Sequence, residues 1–333
     1  MVDNQPLVSV IIPCYNAERW IAEAIESCLQ QTYKPTEIII IDDGSTDGSL
    51  TVIKEYAERY PELIKWETQK NQGAPAARNR AMDIASGDLI FYLDADDCLY
   101  ASSIECLTQA LRDDIDIVYG NTCYINSDGA LTRIKDQSPA SVDWVITMFE
   151  KNPLLGSVLL RKKAAKLVRW DTSLPCAQEY AYFVELAIQG CKFAHVLTTI
   201  SSIREHSSPD RIGNSTKEKL LDVVTSLILR FEEQLVKSNQ YYRERRIVIN
   251  YWFFYFASRH WRKGNRSQVN ILCSKVDKSL LPEYPKFKYL SFTGLAWLTS
   301  LRVCYVLWET RDRFESFLRR NYLRILSSES QAT

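Results

Sequence analysis

Across its first 120 residues the chain alternates short β-branched runs with segments of helical spacing, and few folds accept that alternation. Val8–Ile12 reads as a buried strand ended by Pro13. Ala17–Gln31 follows, with apolar residues at Trp20, Ile21, Ala24, Ile25, Cys28 and Leu29 along one helix face. Glu37–Ile41, Leu63–Glu67, Asp88–Leu93 and Ile115–Tyr119 repeat the strand pattern. Helices are predicted between them: one capped by Ser45, Thr46 or Asp47, then Pro75–Ala85 with proline in its first turn, then Ala101–Leu111. The implied units are right-handed βαβ crossovers, and the implied fold is α/β, a mostly parallel sheet flanked by helices. Asn121–Val142 is turn-rich with room for short strands, and Ser141–Phe149 and Glu179–Gln189 look helical.

In such a sheet ligands bind beyond the carboxyl ends of the strands. Three polar clusters fall there: Pro13–Asn16, Asp42–Asp47 and Asp94–Asp97. A buried strand that opens directly into Asp94, Asp96 and Asp97 is electrostatically costly unless a cation neutralises them. Manganese and magnesium prefer oxygen ligands and suit that role. The other reading of the cluster is a solvated turn in which Asp97 caps the next helix. At the second cluster, Asp42–Asp47, one carboxylate accepts hydrogen bonds from a base or ribose, or the segment is only a capped strand-to-helix turn. Tyr15 offers a ring to a nucleobase or packs on the rim. Arg78, near the start of a predicted helix, pairs with a diphosphate or lies on the surface.

What is missing narrows the classes. No two of the eleven glycines are separated by one residue, so G-x-G-x-x-G is absent, as is G-x-x-x-x-G-K. The nine cysteines form no C-x-x-C pair, and the three histidines form no H-E-x-x-H. A zinc site, a redox dithiol and a secreted disulfide framework are all disfavoured. Formal net charge is zero, which speaks against a nucleic-acid partner. The first residues, MVDNQPLVSV, have no basic region followed by a long apolar stretch, so no signal peptide is expected. The expected location is cytoplasmic.

Five segments in order resemble the family 2 glycosyltransferases of the GT-A fold. They are VSVIIPCYN (8–16), SCLQQT (27–32), EIIIIDDGSTD (37–47), NQGAPAARN (71–79) and SGDLIFYLDADD (86–97). The resemblance is dense over 7–120 and loose over 150–210. It implies a metal-dependent enzyme moving a sugar, with inversion, from a nucleotide-diphosphate sugar to a glycan or lipid-linked acceptor in surface polysaccharide synthesis. By position it assigns Pro13, Tyr15, Asp43, Arg78, Asp94 and Asp97 to the donor. Asp96 and Asp94 form the D-x-D motif that holds Mn2+ or Mg2+, and His206, in an R-x-H-x-x-S-like segment, joins them. Glu179 aligns with the family's general base, while Gln178 stands where the family has a preceding glutamate. Two alternatives remain: a nucleotidyltransferase of similar fold and a non-catalytic carbohydrate-binding relative.

The expected domains are 1–214, with a nucleotide half (7–120) and an acceptor half (121–214), and a helical region, 215–333. The split follows charge. Lys217 to Thr333 holds 21 Lys and Arg against 11 Asp and Glu, and the preceding residues are correspondingly acidic. Four of the eight tryptophans lie beyond residue 250. Leu290–Trp308 approaches transmembrane length, but Arg302 interrupts it. The readings are peripheral contact with the inner membrane face, or helices packed on the catalytic domain.

Overall fold

The computed structural model describes residues 5–206 and 219–280. The chain divides into two compact units, Met1–Gln234 and Leu235–Thr333.

The first unit is built on a nine-stranded sheet. Its strands are β1 (Val8–Cys14), β2 (Thr36–Asp42), β3 (Ile64–Thr68), β4 (Leu89–Tyr92) and β5 (Cys98–Leu99), followed by β6 (Ile117–Ile125), β7 (Leu131–Lys135), β8 (Val158–Arg161) and β9 (Phe193–Arg204). The spatial order is β3-β2-β1-β4-β8-β6-β9-β5, with β7 on the side of β6. β1, β2, β3 and β4 are mutually parallel, as their alternation with helices requires. β8 then enters antiparallel to both β4 and β6, so the far half of the sheet is mixed.

Helices α1 (Ile21–Leu29), α2 (Ser49–Arg59), α3 (Ala74–Ile84), α4 (Ser103–Ala110), α5 (Trp144–Glu150), α6 (Lys162–Ala165) and α7 (Gln178–Ile188) fill the connections. One core face joins Val8, Val10, Ile12, Ile38 and Ile40 of the sheet to Ile21, Ile25, Ile53, Ile104 and Leu107 of α1, α2 and α4. These sheet residues have even numbers because successive strand side chains face opposite ways. Ile11, Ile39 and Ile41 face the other side and are equally buried, where α3 packs on β1 and β2.

Three local expectations need correction. α2 begins at Ser49 behind Gly48, so none of Ser45, Thr46 and Asp47 is its N-cap, although Asp47 Oδ1 accepts the Ser49 N–H at 3.0 Å. α1 starts at Ile21 rather than Ala17, because Ala17 to Trp20 forms a turn that Ser49 fixes by accepting the Ala17 amide hydrogen at 2.8 Å. Asp97 caps no helix: α4 begins at Ser103, and the Asp97 carboxylate accepts the Arg204 backbone N–H at 3.0 Å instead.

Helix α8 (Leu220–Lys237) follows, and its Arg230 binds Asp171 at 2.8 Å and Glu185 at 2.7 Å within the first unit. In the second unit α9 (Arg243–Arg262) packs against α10 (Arg266–Lys275). Asn250 of α9 exchanges two hydrogen bonds with the Asp277 backbone, at 3.0 and 2.6 Å. Among the described residues no helix is long and apolar enough to cross a membrane. The Leu290–Trp308 stretch lies outside the described residues.

Candidate active site

Because β1, β2 and β4 run parallel, their carboxyl ends share one rim. Cys14 pairs with Asp42 in register, and the Asp43 N–H bonds the Cys14 carbonyl at 2.7 Å. A cleft of about 690 Å3 opens there. It brings together all nine residues assigned from the sequence: Pro13, Tyr15, Asp43, Arg78, Asp94, Asp96, Asp97, Glu179 and His206.

Their partners differ from one to the next. Tyr15 is 40% exposed at the mouth and free to meet a planar ligand. Asn16 beside it adopts φ 49°, a left-handed backbone that Asn tolerates, and its Oδ1 accepts the Thr46 N–H at 2.9 Å. Asp43 is buried, and its carboxylate holds a loop in place. It accepts from Gln69 Nε2 at 2.8 Å, the Gln72 N–H at 2.9 Å and the Gly73 N–H at 2.7 Å. Asp43 thereby shapes the Asn71–Gly73 wall of the cleft. Burial, then the Asp42 charge, pushes the Cys14 thiol up to about 12, so this rim cysteine is no nucleophile.

Arg78 is not a surface residue. It is 4% exposed, and its Nη2 binds Asp94 Oδ1 at 2.7 Å. The guanidinium lies 4.6 Å from the centroid of the Trp170 ring, and Trp170 in turn stacks on Tyr182 of α7 at 4.1 Å and 8°. Asn79, adjacent to Arg78 on α3, clamps the Trp170 backbone from both sides, at 2.9 and 3.0 Å. The sequence offered no sign of this assembly, since α3 and Trp170 are 91 residues apart.

The D-x-D segment is split in its duties. Asp94 faces Arg78, Asp96 Oδ2 meets His206 Nε2 at 2.8 Å, and Asp97 anchors the end of β9. The His206 ring lies against Trp20, 5.7 Å between centroids, and Arg204 covers Trp20 at 4.5 Å while pairing with Glu23. Among the described residues no three His, Cys, Asp or Glu side chains gather as a metal-binding group. Asp96 with His206 nonetheless fits a divalent cation of the kind that takes one or two protein ligands and completes its shell with substrate phosphates.

Glu179 enters the cleft from the first turn of α7. The residue before that helix, Ala177, has φ 56° and ψ 27°, a strained left-handed conformation for a residue with a Cβ. Burial first and the Asp94 charge second raise the Glu179 carboxyl from 4.5 to about 7, against the opposing Arg78 charge, the Leu155 backbone N–H and Lys135.

Residues 9–171 match the model for Glycosyl transferase family 2. The chain is 29% identical over 255 residues to an uncharacterized glycosyltransferase of Haemophilus influenzae, covering 76% of this chain and 94% of that protein. A 128-residue stretch is 39% identical to the Escherichia coli protein WfgD, described as a UDP-Glc:alpha-D-GlcNAc-diphosphoundecaprenol beta-1,3-glucosyltransferase. It covers 38% of this chain and 50% of that relative. Among solved structures, residues 1–349 of S. aureus TarS in complex with UDP-GlcNAc give a TM-score of 0.64 at 16% identity, over 82% of each chain. That likeness establishes the GT-A type fold. The protein is a glycosyltransferase, and its residues 9–171 belong to glycosyl transferase family 2.

Proposed function

We propose that the cleft transfers a sugar from a nucleotide-diphosphate sugar to a hydroxyl of a glycan or lipid-linked acceptor, with inversion, in surface polysaccharide synthesis. One observation carries this reading: Glu179 and the Asp94–Asp97 carboxylates enter one cleft from different elements, α7 and the end of β4. Inversion needs both in one cleft, carboxylates toward the leaving diphosphate and a base that reaches the acceptor hydroxyl. With its carboxyl near 7, Glu179 is a strong enough base to take a hydroxyl proton yet is ionised in useful amounts near neutrality. Its role is to accept that proton as the acceptor oxygen attacks the anomeric carbon.

Tyr15 and Pro13 would flank the nucleotide, beside the loop that Asp43 holds. Asp96 and His206 would hold Mn2+ or Mg2+ against the diphosphate. Bound there, the cation supplies charge neutralisation to the departing phosphates. Arg78 would fix Asp94 toward the same end of the cleft, with one guanidinium nitrogen on the Asp94 carboxylate and further N–H groups left to meet the diphosphate. The donor and acceptor classes named for WfgD support the same reaction class here. Peripheral contact of the basic 215–333 region with the inner membrane face belongs to this reading, since a lipid-linked acceptor is presented there.

The test is release of nucleotide diphosphate from a panel of uridine, guanosine and thymidine diphosphate sugars with manganese. At least one donor should be hydrolysed slowly without acceptor. If none is bound or hydrolysed, a non-catalytic relative becomes the better reading.

A further inference from the structure

Trp20 lines the cleft but has no part in the chemistry proposed above. It stands at the N-cap of α1, after the turn that Ser49 fixes, and its own N–H bonds the Ala17 carbonyl at 2.8 Å. The indole is therefore carried on a short, tied stretch of backbone. Three side chains lie around it. The Arg19 guanidinium is 4.4 Å and the Arg204 guanidinium 4.5 Å from a ring centroid of Trp20, and the His206 ring is 5.7 Å away, tilted by 31°. The negative face of an indole attracts guanidinium groups, so this ring is gripped as well as packed.

Arg204 ties the cluster to the D-x-D segment. It is 4% exposed and pairs with Glu23, three residues after Trp20 and so on the same side of α1. Its backbone N–H bonds Asp97 Oδ1 at 3.0 Å, and two residues later His206 Nε2 meets Asp96 Oδ2 at 2.8 Å. Between them the Glu205 N–H bonds the Ile125 carbonyl at 2.8 Å, and the Glu205 carboxylate holds Arg133 at 2.8 Å. Adjacent aspartates thus fix one backbone N–H and one imidazole of the same segment, and the side chains of Arg204 and His206 both bear on Trp20. A carboxylate by itself fixes one nitrogen of a histidine and leaves the plane of the ring free to turn about that contact. The flat indole supplies the missing constraint.

We propose that Trp20 is a positioning residue of the cation site. It holds the His206 ring in the plane that keeps Nε2 on Asp96, so both ligands are set before a nucleotide arrives. This inference rests on the reading of Asp96 and His206 as the residues that hold Mn2+ or Mg2+. Trp20 acts through His206, and Arg204 with Glu23 keeps the indole in place.

The experiment uses the full chain and follows uridine diphosphate affinity by titration calorimetry, with manganese and with chelator, so catalysis is not the readout. Trp20→Leu and Trp20→Met should lower the gain that manganese confers by roughly tenfold, the usual size for a group that orients a metal ligand. Affinity under chelator should stay as in wild type. Trp20→Phe, which keeps a flat ring, should retain most of the gain. In a His206→Ala background the leucine and methionine replacements should cost nothing further, since effects that pass through one residue do not add. Circular dichroism reports folding, and either replacement that folds decides the matter. Equal losses with and without manganese, additive losses in the His206→Ala background, an undiminished gain, or unfolding of both variants each overturns the proposal. A wild type that binds uridine diphosphate with no gain from manganese overturns it together with the cation site. Donor hydrolysis in the panel above reports separately on the transfer reading.

Discussion

Arg78 and Asp94 are joined at 2.7 Å, a guanidinium that is 4% exposed gripping a carboxylate that is 35% exposed. One end of this pair is fixed and the other looks into the cleft. The fixed end continues through Trp170 to Tyr182, three residues after Glu179 on α7. The D-x-D rim and the helix bearing the proposed base are thus mechanically connected through stacked side chains.

Trp170→Ala should therefore weaken the fold strongly. The ring is 3% exposed, and emptying such a site costs about 3–5 kcal/mol. Urea denaturation should show the loss in midpoint. Trp170→Phe, which retains a ring against Tyr182, should cost less than half as much, and a full-sized loss in that variant would show that the stack is not what stabilises the site.

Glu179→Gln should leave donor affinity intact and reduce turnover by roughly 10²–10⁴, the usual range for a lost general base. Calorimetry with the donor and steady-state rates with a saturating acceptor give the two numbers. Turnover within threefold of wild type would assign the base elsewhere.

The same carboxyl sets two pH dependences of opposite sense. As a base it works ionised, so wild-type turnover should rise with pH and level off above about 7. For stability, the folded protein retains a proton that the unfolded chain has released between 4.5 and about 7. That contribution is full below 4.5 and is lost as pH rises through about 7. Melting temperatures from pH 4.5 to 8 should fall more steeply for wild type than for Glu179→Gln, and parallel curves would contradict the raised carboxyl.

Asp96→Ala should remove the gain in uridine diphosphate affinity that manganese confers, a change of tenfold or more, about 1.4 kcal/mol. His206→Ala should do the same in part, since it meets Asp96 at 2.8 Å. Titration calorimetry with and without chelator reads both. Undiminished metal-dependent affinity in Asp96→Ala would reject the assignment.

Ala177→Val should be destabilising by about 1–3 kcal/mol, because a β-branched residue fits poorly at φ 56°. Ala177→Gly should be neutral or slightly stabilising. Chemical denaturation of both variants checks the pair, and equal stability would show that α7 does not need this turn.

The parallel half of the fold was legible because β1 and β2 are buried β-branched runs and α1 and α2 carry an apolar stripe, while β3, with only Ile64 buried, was marked by its place between two helices. β1 to β4 lie within two residues of their expected ends. β9 was missed for a physical reason: Phe193–Arg204 mixes Thr, Ser and an exposed Leu197, 79% open, with no clean alternation. β8 was missed because Val158–Arg161 is only four residues long and follows other apolar residues. The residues of the cleft could be assigned by resemblance, but their working environment could not. Glu179 owes its raised carboxyl partly to Asp94, 85 positions earlier, and nothing periodic in the sequence links the two. Nor does local pattern reveal that Arg78 is spoken for by Trp170.

The reversed β8 has a consequence for how the molecule is made. Until residue 161 has left the ribosome, β4 and β6 have no strand to join them, although both are already synthesised. The nascent chain must carry two open sheet edges for about 40 residues of translation, a few seconds at ordinary elongation rates. The segment that resembles the family most closely, 7–120, ends before that gap is closed. Released alone, it would present the bare side of β4 to its own copies, so a soluble fragment of this enzyme has to extend past β8.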